Sequence, residues 1–156
     1  MTVAAGNGHE AGRALLAQMY YDRTGLPLPL ICQTPMGKPY FPDDSLHFSI
    51  SHTKKHVFCA LSSYPIGIDA EEMDRKVSLA LAPRILSQNE LRQFHTAPDP
   101  SLALLKFWVL KEAEAKLTGK GIAYPPNHTD YSLDDPRICI IDGCIIAVME
   151  DKNHAL

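Results

Sequence analysis

The 156 residues suffice for one domain, or for two small halves that share a core, and the 46% hydrophobic content is ordinary for a globular protein. The net charge of −3 provides no basic field of the kind that attracts nucleic acid. No run of residues is long and apolar enough to cross a bilayer, and the N-terminus lacks the charged-then-apolar pattern of a signal peptide. We therefore expect a cytoplasmic protein that binds neither nucleic acid nor a membrane.

The first part of the chain predicts one helix and three strands. The helix covers residues 10–23, with an apolar side formed by Ala14, Leu15, Met19 and Tyr20. A turn dense in glycine and proline follows at residues 34–39. Alternation of apolar and polar residues, and short apolar runs, then predict strands over residues 46–51, 57–61 and 66–71.

The second part of the chain predicts helices and then strands. The pattern turns helical at Ser78, and a capping box from Ser87 to Glu90 indicates that one helix ends near Leu86 and another begins at Ser87. The next helix covers residues 100–118, with Asp99-Pro100 as its start signal and Gly119 as its stop signal. Strands are predicted over residues 129–133, 136–141 and 144–149. Strands followed by helices and then strands favour an α+β domain.

The cysteines are too few and too scattered for a disulfide scaffold. Asp142-Gly143 is typical of a two-residue hairpin turn, which pairs Ile141 with Cys144 and leaves Cys139 opposite Ile146. We interpret all four cysteines of the chain as buried free thiols and not as zinc ligands: Cys32, Cys59, Cys139 and Cys144.

One face of the helix over residues 100–118 changes from apolar to charged. Leu105, Trp108 and Val109 form an apolar stripe that we expect to face the core, and Glu112 and Lys116 continue it. A buried carboxylate needs a partner. The alternative is an ordinary Glu–Lys pair in water, which contributes a few tenths of a kcal/mol.

Asp69 and Glu71 stand two residues apart on a predicted strand, so their side chains point to the same side. If Glu112 joins them, three carboxylates form a site for a hard cation such as Mg²⁺. The alternative is that both acids begin a solvated loop together with Glu72 and Asp74.

Several side chains are suited to phosphate oxygens: Lys38, Ser51, His52, Lys111, Lys116 and Lys120. The chain has neither a Walker A run nor a Gly-x-Gly-x-x-Gly motif, which excludes the usual nucleotide cradles. The residues alone thus indicate a Mg²⁺-dependent reaction on a phosphate-bearing substrate.

Four blocks in this order resemble the 4′-phosphopantetheinyl transferase superfamily, and more closely its pseudo-dimeric branch, which activates surfactin synthetase. The blocks are Gly37-Lys38-Pro39, His47 to His52, Ile66 to Glu71, and Trp108 to Gly121. The resemblance implies an α+β fold of two similar halves, approximately residues 1–75 and 76–156 of one domain, with the site in the cleft between them. It also implies a monomer.

The resemblance further implies an enzyme that transfers 4′-phosphopantetheine from coenzyme A to a serine of an acyl or peptidyl carrier protein, releasing adenosine 3′,5′-bisphosphate. When the roles known for the family are assigned to the matching positions of this chain, Asp69, Glu71 and Glu112 would hold Mg²⁺, or Mn²⁺ in its place. Glu112 would be the general base and Lys116 would neutralise developing charge. The coenzyme would contact Arg13, Lys38, Pro39, Ser51, His52, Lys111 and Lys116.

Members of this branch carry a longer N-terminal half, and by alignment this chain begins roughly forty residues late. We therefore expect a compact member. Two alternatives are a weakened homologue that only binds coenzyme A or a carrier protein, and an unrelated Mg²⁺-dependent phosphatase. The pairs Lys54-Lys55 and Arg75-Lys76 would contact an acidic carrier, or else belong to ordinary solvated loops.

Overall fold

The computed structural model describes residues 8–43, 45–121 and 126–154, and these form an α+β fold. The helices are α1 (Gly8–Thr24), α2 (Ala82–Ile85), α3 (Gln88–Thr96) and α4 (Pro100–Thr118). The strands are β1 (Cys32–Gln33), β2 (Pro39–Tyr40), β3 (His47–His52), β4 (Val57–Ser62), β5 (Ile66–Glu72), β6 (Ile138–Ile141) and β7 (Cys144–Glu150). Short 3-10 turns cover Leu79–Leu81 and Pro126–His128.

The first layer consists of α1 packed against the antiparallel hairpin of β3 and β4. Its core is formed by the buried side of the helix and by aromatic residues of the following segments, chiefly Leu15, Leu16, Tyr20, Phe41 and Phe48. The Phe41 ring packs against both Tyr20 and Phe48, with ring centroids 5.2 and 4.7 Å apart. These contacts fix β3 beneath the helix.

The second layer consists of α4 packed against a three-stranded antiparallel sheet in the order β5-β7-β6. Its core includes the fully buried Leu105, Val109 and Leu110 of the helix and Ile145 and Ala147 of β7. Strand β5 precedes residue 75, where the first half was expected to end, but it pairs with β7. The division at residue 75 remains a prediction.

Helix α4 and strand β5 approach each other closely at Gly67. A Cβ atom on Gly67 would lie 2.1 Å from the Ala113 carbonyl oxygen and 2.5 Å from the Leu117 amide nitrogen. Those two groups are one helical turn apart in α4, so only a glycine lets the helix rest directly on the strand. This contact brings the acids of β5 next to the charged end of α4.

Local signals placed the start of α3, both ends of α4 and the last hairpin correctly. The Asp99 side chain accepts a hydrogen bond from the Leu102 amide, and Gly119 ends α4 in the left-handed conformation with φ 69°. Ser87 and Glu90 form the expected capping box. Asp142 and Gly143 have φ values of 51° and 73°, and the hairpin has the predicted register.

The strand predicted over residues 129–133 is wrong. The Tyr131 amide donates to Glu90 Oε2 at 2.9 Å and the Leu133 amide donates to Gln93 Oε1 at 3.0 Å. Side chains of α3 therefore take the backbone bonds that a neighbouring strand would have made.

Burial differs from the prediction at several positions. Ala14 is exposed because α1 buries Ala11 and Gly12 instead, and Trp108 is only half-buried. Cys139 is exposed on the edge strand β6 and Cys32 is half-buried, so only Cys59 and Cys144 are buried thiols. In the part of the chain that the structure describes, no helix is long and apolar enough to span a membrane.

We predict that Gly67→Ala lowers the free energy of unfolding by about 3 kcal/mol, because the new methyl group must push α4 away from β5. The matched control is Gly25→Ala, at φ 72° with no neighbour within 4 Å, which should cost about 1 kcal/mol through backbone strain alone. Urea unfolding of both variants measures the difference. Equal costs would contradict the close approach.

Candidate active site

A cavity of about 260 Å³ lies between the two layers. Its walls come from the turn before β2, from β3 and from the C-terminal part of α4, and they include Lys38, Pro39, Ser49, Ile50, Glu112 and Lys116. Both layers of one chain thus contribute to the same cavity. It lies at the place where the cleft was predicted.

Asp69 is buried beside the cavity and forms an ion pair with Lys116. The Lys116 ammonium lies 3.0 Å from Asp69 Oδ1. The other carboxylate oxygen, Oδ2, is buried and has no hydrogen-bond partner among the described residues. Burial raises the pKa of Asp69, and the Glu71 charge adds to this, whereas Lys116 acts in the opposite direction. The site therefore holds a buried carboxylate of which one oxygen is paired with Lys116 and the other has no donor among the described residues.

Glu112 lies one helical turn before Lys116 and faces two cavities. It lines the first cavity and also a second one of about 220 Å³, whose walls include Trp108, Lys120 and Thr129. Burial raises the pKa of Glu112, and the negative charges of Asp69 and Glu71 raise it further. The three predicted acids therefore act on one another electrostatically.

Glu71 is half-buried near the end of β5. Its carboxylate forms an ion pair with Arg75, and it lines an open basin of about 820 Å³ together with Lys54, Lys55 and Lys76. Within residues 8–43, 45–121 and 126–154, no three acidic, histidine or cysteine side chains are close enough to form a ready metal cluster. Glu71 would have to leave Arg75 to join the other two acids.

Lys38 reaches across the cleft from the first layer to the second. Its ammonium donates a hydrogen bond of 2.5 Å to the Leu117 carbonyl oxygen in the last turn of α4. Gly119 lies against its aliphatic chain, since a Cβ there would be 3.0 Å from Lys38 Cδ. Burial lowers the pKa of this lysine. Its neighbour Pro39 lies in β2 and lines the same cavity.

Three of the predicted coenzyme contacts lie outside the walls of the two cavities, whereas Lys116 lines the first and Lys111 the second. Ser51 is buried, with its hydroxyl directed at β5, and His52 is exposed at the end of β3, where its ring lies against Gly8. Arg13 is half-buried on α1. Among the described wall residues of either cavity, these three do not occur.

Lys111 takes part in a buried network instead of presenting its charge to the cleft. Its ammonium lies 2.7 Å from Glu90 Oε1 and donates to the Pro126 and Thr129 carbonyl oxygens at 2.6 and 3.1 Å. It also donates to the Thr129 hydroxyl at 2.9 Å. Glu90 is completely buried, so this lysine neutralises a carboxylate that would otherwise be alone in the interior.

Sequence reasoning missed two polar residues beside the site. Ser49 stands two positions before Ser51 on β3, and its hydroxyl accepts a hydrogen bond of 3.1 Å from the Ile68 amide. The alternation of polar residues along β3 was the signal for it. Glu90 was recognised as a helix cap, but no local pattern indicates that it also binds Lys111 on another helix.

Comparison with known proteins identifies the family. A family model described as the 4′-phosphopantetheinyl transferase superfamily matches residues 65–143. This range covers half of the chain and includes Asp69, Glu71, Glu112 and Lys116. The chain belongs to this superfamily. The family predicted from the four blocks is confirmed.

Two relatives with curated names are 4′-phosphopantetheinyl transferases from Bacillus. The 4′-phosphopantetheinyl transferase psf-1 of Bacillus pumilus is 34% identical over 118 residues, which cover 74% of this chain and 46% of that protein. The 4′-phosphopantetheinyl transferase Sfp of Bacillus subtilis strain 168 is 37% identical over 92 residues, covering 57% and 41%. These similarities agree with the predicted branch, and the chain spans less than half the length of these curated relatives.

A solved structure, the holo-[acyl-carrier-protein] synthase of Thermotoga maritima, superposes with a TM-score of 0.46 at 22% identity, covering 55% of this chain and 61% of that one.

The three predicted acids have the side-chain chemistry of divalent metal ligands. All three offer carboxylate oxygens, which are the ligands that Mg²⁺ prefers. Asp69 Oδ2 is buried without a hydrogen-bond partner among the described residues, and burial, followed by the negative charges of Asp69 and Glu71, raises the pKa of Glu112. A cation placed among them would relieve both effects.

We predict that Lys111→Met lowers the free energy of unfolding by about 3–5 kcal/mol, because it leaves the buried Glu90 carboxylate without a counter-charge. The control Lys120→Met removes an exposed lysine that lines the same second cavity and should change stability by less than about 0.5 kcal/mol. Chemical unfolding measures both. If Lys111→Met resembled the control, the buried network would not be the role of this lysine.

Proposed function

We propose that the chain transfers the 4′-phosphopantetheine group of coenzyme A to a serine of an acyl or peptidyl carrier protein. The observation that carries the proposal is the grouping of Asp69, Glu112 and Lys116 beside a cavity that also contains Lys38. These are the residues in which the chain resembles the transferases, and they come from both layers of the fold.

The reaction joins the serine Oγ to the β-phosphorus of coenzyme A and breaks the bond from that phosphorus to the bridging oxygen of the pyrophosphate. The bridging oxygen leaves with the electron pair as part of adenosine 3′,5′-bisphosphate, and the serine proton must move to a base. We assign that role to Glu112, because it is half-buried between the two cavities and burial raises its pKa.

Lys116 and Lys38 supply the positive charge that a pyrophosphate requires. Lys116 lines the cavity one helical turn after Glu112, so its ammonium can interact with the negative charge that develops on the leaving group. Lys38 lines the opposite wall, and its bond to the Leu117 carbonyl holds it near the end of α4. Pro39 adds an apolar wall beside it.

We further propose that Asp69, Glu71 and Glu112 hold Mg²⁺, with Mn²⁺ as a substitute. When bound, the ion would neutralise pyrophosphate charge and make phosphorus more electrophilic. Support for Asp69 as a metal ligand is that its Oδ2 atom is buried and has no hydrogen-bond partner among the described residues. Glu71 would exchange its ion pair with Arg75 for the metal.

We propose that the protein works as a monomer, with coenzyme A and an apo carrier protein as its substrates. Support for the monomer is that one chain supplies both walls of the cavity. Light scattering at assay concentration tests it, and a mass of two or three chains would contradict it.

We predict that an apo carrier protein incubated with the chain, coenzyme A and Mg²⁺ gains one phosphopantetheine in intact-mass spectrometry, and that EDTA prevents the gain.

Glu112→Gln should abolish transfer, because it removes a base and a metal ligand while keeping the side-chain volume. Lys116→Ala should lower kcat by about 10²–10³-fold, as for the loss of a charge-stabilising donor.

Lys106→Ala is the matched control for Lys116→Ala, because it removes a lysine from the same helix at a distance of almost three turns. It should retain full transfer. Wild-type-like turnover by Glu112→Gln would refute the assignment, and an absence of transfer with coenzyme A still bound in calorimetry would favour the binding homologue.

We predict that Lys38→Ala raises the KM for coenzyme A by about ten-fold and changes kcat less, because its charge meets the ground-state pyrophosphate as well as the transition state. Steady-state kinetics at varied coenzyme A measure this. An effect confined to kcat would instead give Lys38 a role in the chemical step.

A further inference from the structure

A cysteine and a histidine come together outside the proposed active site, where the loop between β3 and β4 meets the start of β7. The Sγ atom of Cys144 lies 3.4 Å from Nδ1 of His56. Cys144 is completely buried, whereas His56 is half-buried at the end of the loop. A hydrogen bond between the thiol and the imidazole accounts for this contact, and so does a pair of metal ligands.

The distance between these two atoms is close to the one that a tetrahedral zinc ion requires. Zinc binds cysteine sulfur at about 2.3 Å and histidine nitrogen at about 2.0 Å. At the tetrahedral angle, these bonds place the sulfur and the nitrogen about 3.5 Å apart. The observed separation of 3.4 Å means that an ion could bind both atoms with little movement of either side chain.

A carboxylate stands beside the pair. Glu72 is the cross-strand partner of Cys144 in the ladder of β5 and β7, so the two side chains lie on the same face of the sheet. Glu72 Oε1 accepts a hydrogen bond of 3.1 Å from the amide of Lys55, the residue before His56. The carboxylate must rotate away from this amide to become a third ligand, which is why the described residues contain no ready cluster of three.

This group lies on the opposite face of β5 from the proposed magnesium ligands. Side chains alternate along a strand, so Glu72 points away from the side that bears Asp69 and Glu71. Cys144 packs within the apolar cluster that β4, β5 and β7 form on that opposite face. An open cavity of about 290 Å³, whose walls include His56 and Glu72, gives an ion access from the solvent.

The charges around the sulfur favour a cation. Burial raises the pKa of the Cys144 thiol, and three nearby carboxylates raise it further, against the effect of a hydrogen bond with Thr53. Those carboxylates belong to Glu72, Asp74 and Asp142. The thiol is therefore neutral until a metal ion binds, at which point its proton passes to the solvent. The same carboxylates that disfavour a free thiolate attract a divalent cation.

We propose that Cys144, His56 and Glu72 form a site for a borderline or soft divalent cation such as Zn²⁺, with water as the fourth ligand. Thiolate and imidazole ligands suit zinc, whereas magnesium prefers oxygen ligands. The site goes beyond the proposed function and does not depend on it. A bound ion would join the β3–β4 loop of the first layer to β5 and β7 of the second, and would thereby stabilise the contact between the layers.

Cd²⁺ tests the site in the full chain, because it replaces zinc and gives an ultraviolet charge-transfer band when a thiolate binds it. Titration of the wild type with Cd²⁺ should produce this band, and excess Mg²⁺ should not remove it. Cys144→Ser should abolish the band. His56→Ala and Glu72→Gln should each weaken Cd²⁺ binding by at least about ten-fold, since even residues that only orient a metal ligand have effects of that size.

Three matched variants serve as controls. Glu71→Gln removes the neighbouring carboxylate, which faces the other side of β5. Cys139→Ser removes the exposed thiol of β6, and His95→Ala removes an exposed histidine of α3. Each control should keep most of the Cd²⁺ affinity of the wild type. Zn²⁺ should also raise the Tm of the wild type and of the controls, but not that of His56→Ala.

Circular dichroism establishes that each variant is folded, and Cys144→Ala takes the place of Cys144→Ser if the buried hydroxyl prevents folding. Absence of the thiolate band in the wild type would overturn the site and leave Cys144 and His56 as a hydrogen-bonded pair. A band that disappears in Cys139→Ser would overturn it as well. Equal Cd²⁺ affinity in Glu71→Gln and Glu72→Gln would exclude the three-ligand arrangement. None of these results bears on the transferase assignment.

Discussion

The close contact between β5 and α4 at Gly67 is the constraint on which the rest of the site depends. The acids are on the strand and the lysine that pairs with one of them is on the helix, so the distance between the two backbones determines whether they can interact. With no side chain at residue 67, the Asp69 carboxylate and the Lys116 ammonium come within 3.0 Å. A larger residue would push the helix away from the strand and so weaken this ion pair.

Two lysines of α4 show how neighbouring residues of one helix acquire different roles. Lys111 faces Glu90 and the segment after the helix, and its charge is used entirely to satisfy buried oxygen atoms. Lys116, little more than one turn later, points to β5 and the cavity. Lys111 therefore stabilises the wall of the second cavity, and Lys116 pairs with Asp69 at the wall of the first.

The sequence was informative where short-range rules decide the structure. Asp99 and Gly119 defined α4, Asp142-Gly143 defined the last hairpin and its register, and the four blocks brought together the residues around the cavity. It was not informative where a side chain far along the sequence determines the local structure or the ion pair. Glu90 binds the Tyr131 amide across 41 positions, which is why residues 129–133 are not a strand. The partners of Lys111 are also distant along the chain, and helical spacing predicts which face a residue is on but not what that face contacts.

The pairing of β5 with β7 has a consequence for how the protein is made. Ile66 pairs with Glu150 and Glu72 with Cys144, so the strand that bears Asp69 cannot complete its sheet until the far end of the chain has left the ribosome. The hairpin of β3 and β4 is local and can form first. The edge of β5 that meets Ser49 and Ser51 can therefore dock early onto that hairpin, whereas its opposite edge stays open to other chains until β7 has been synthesised.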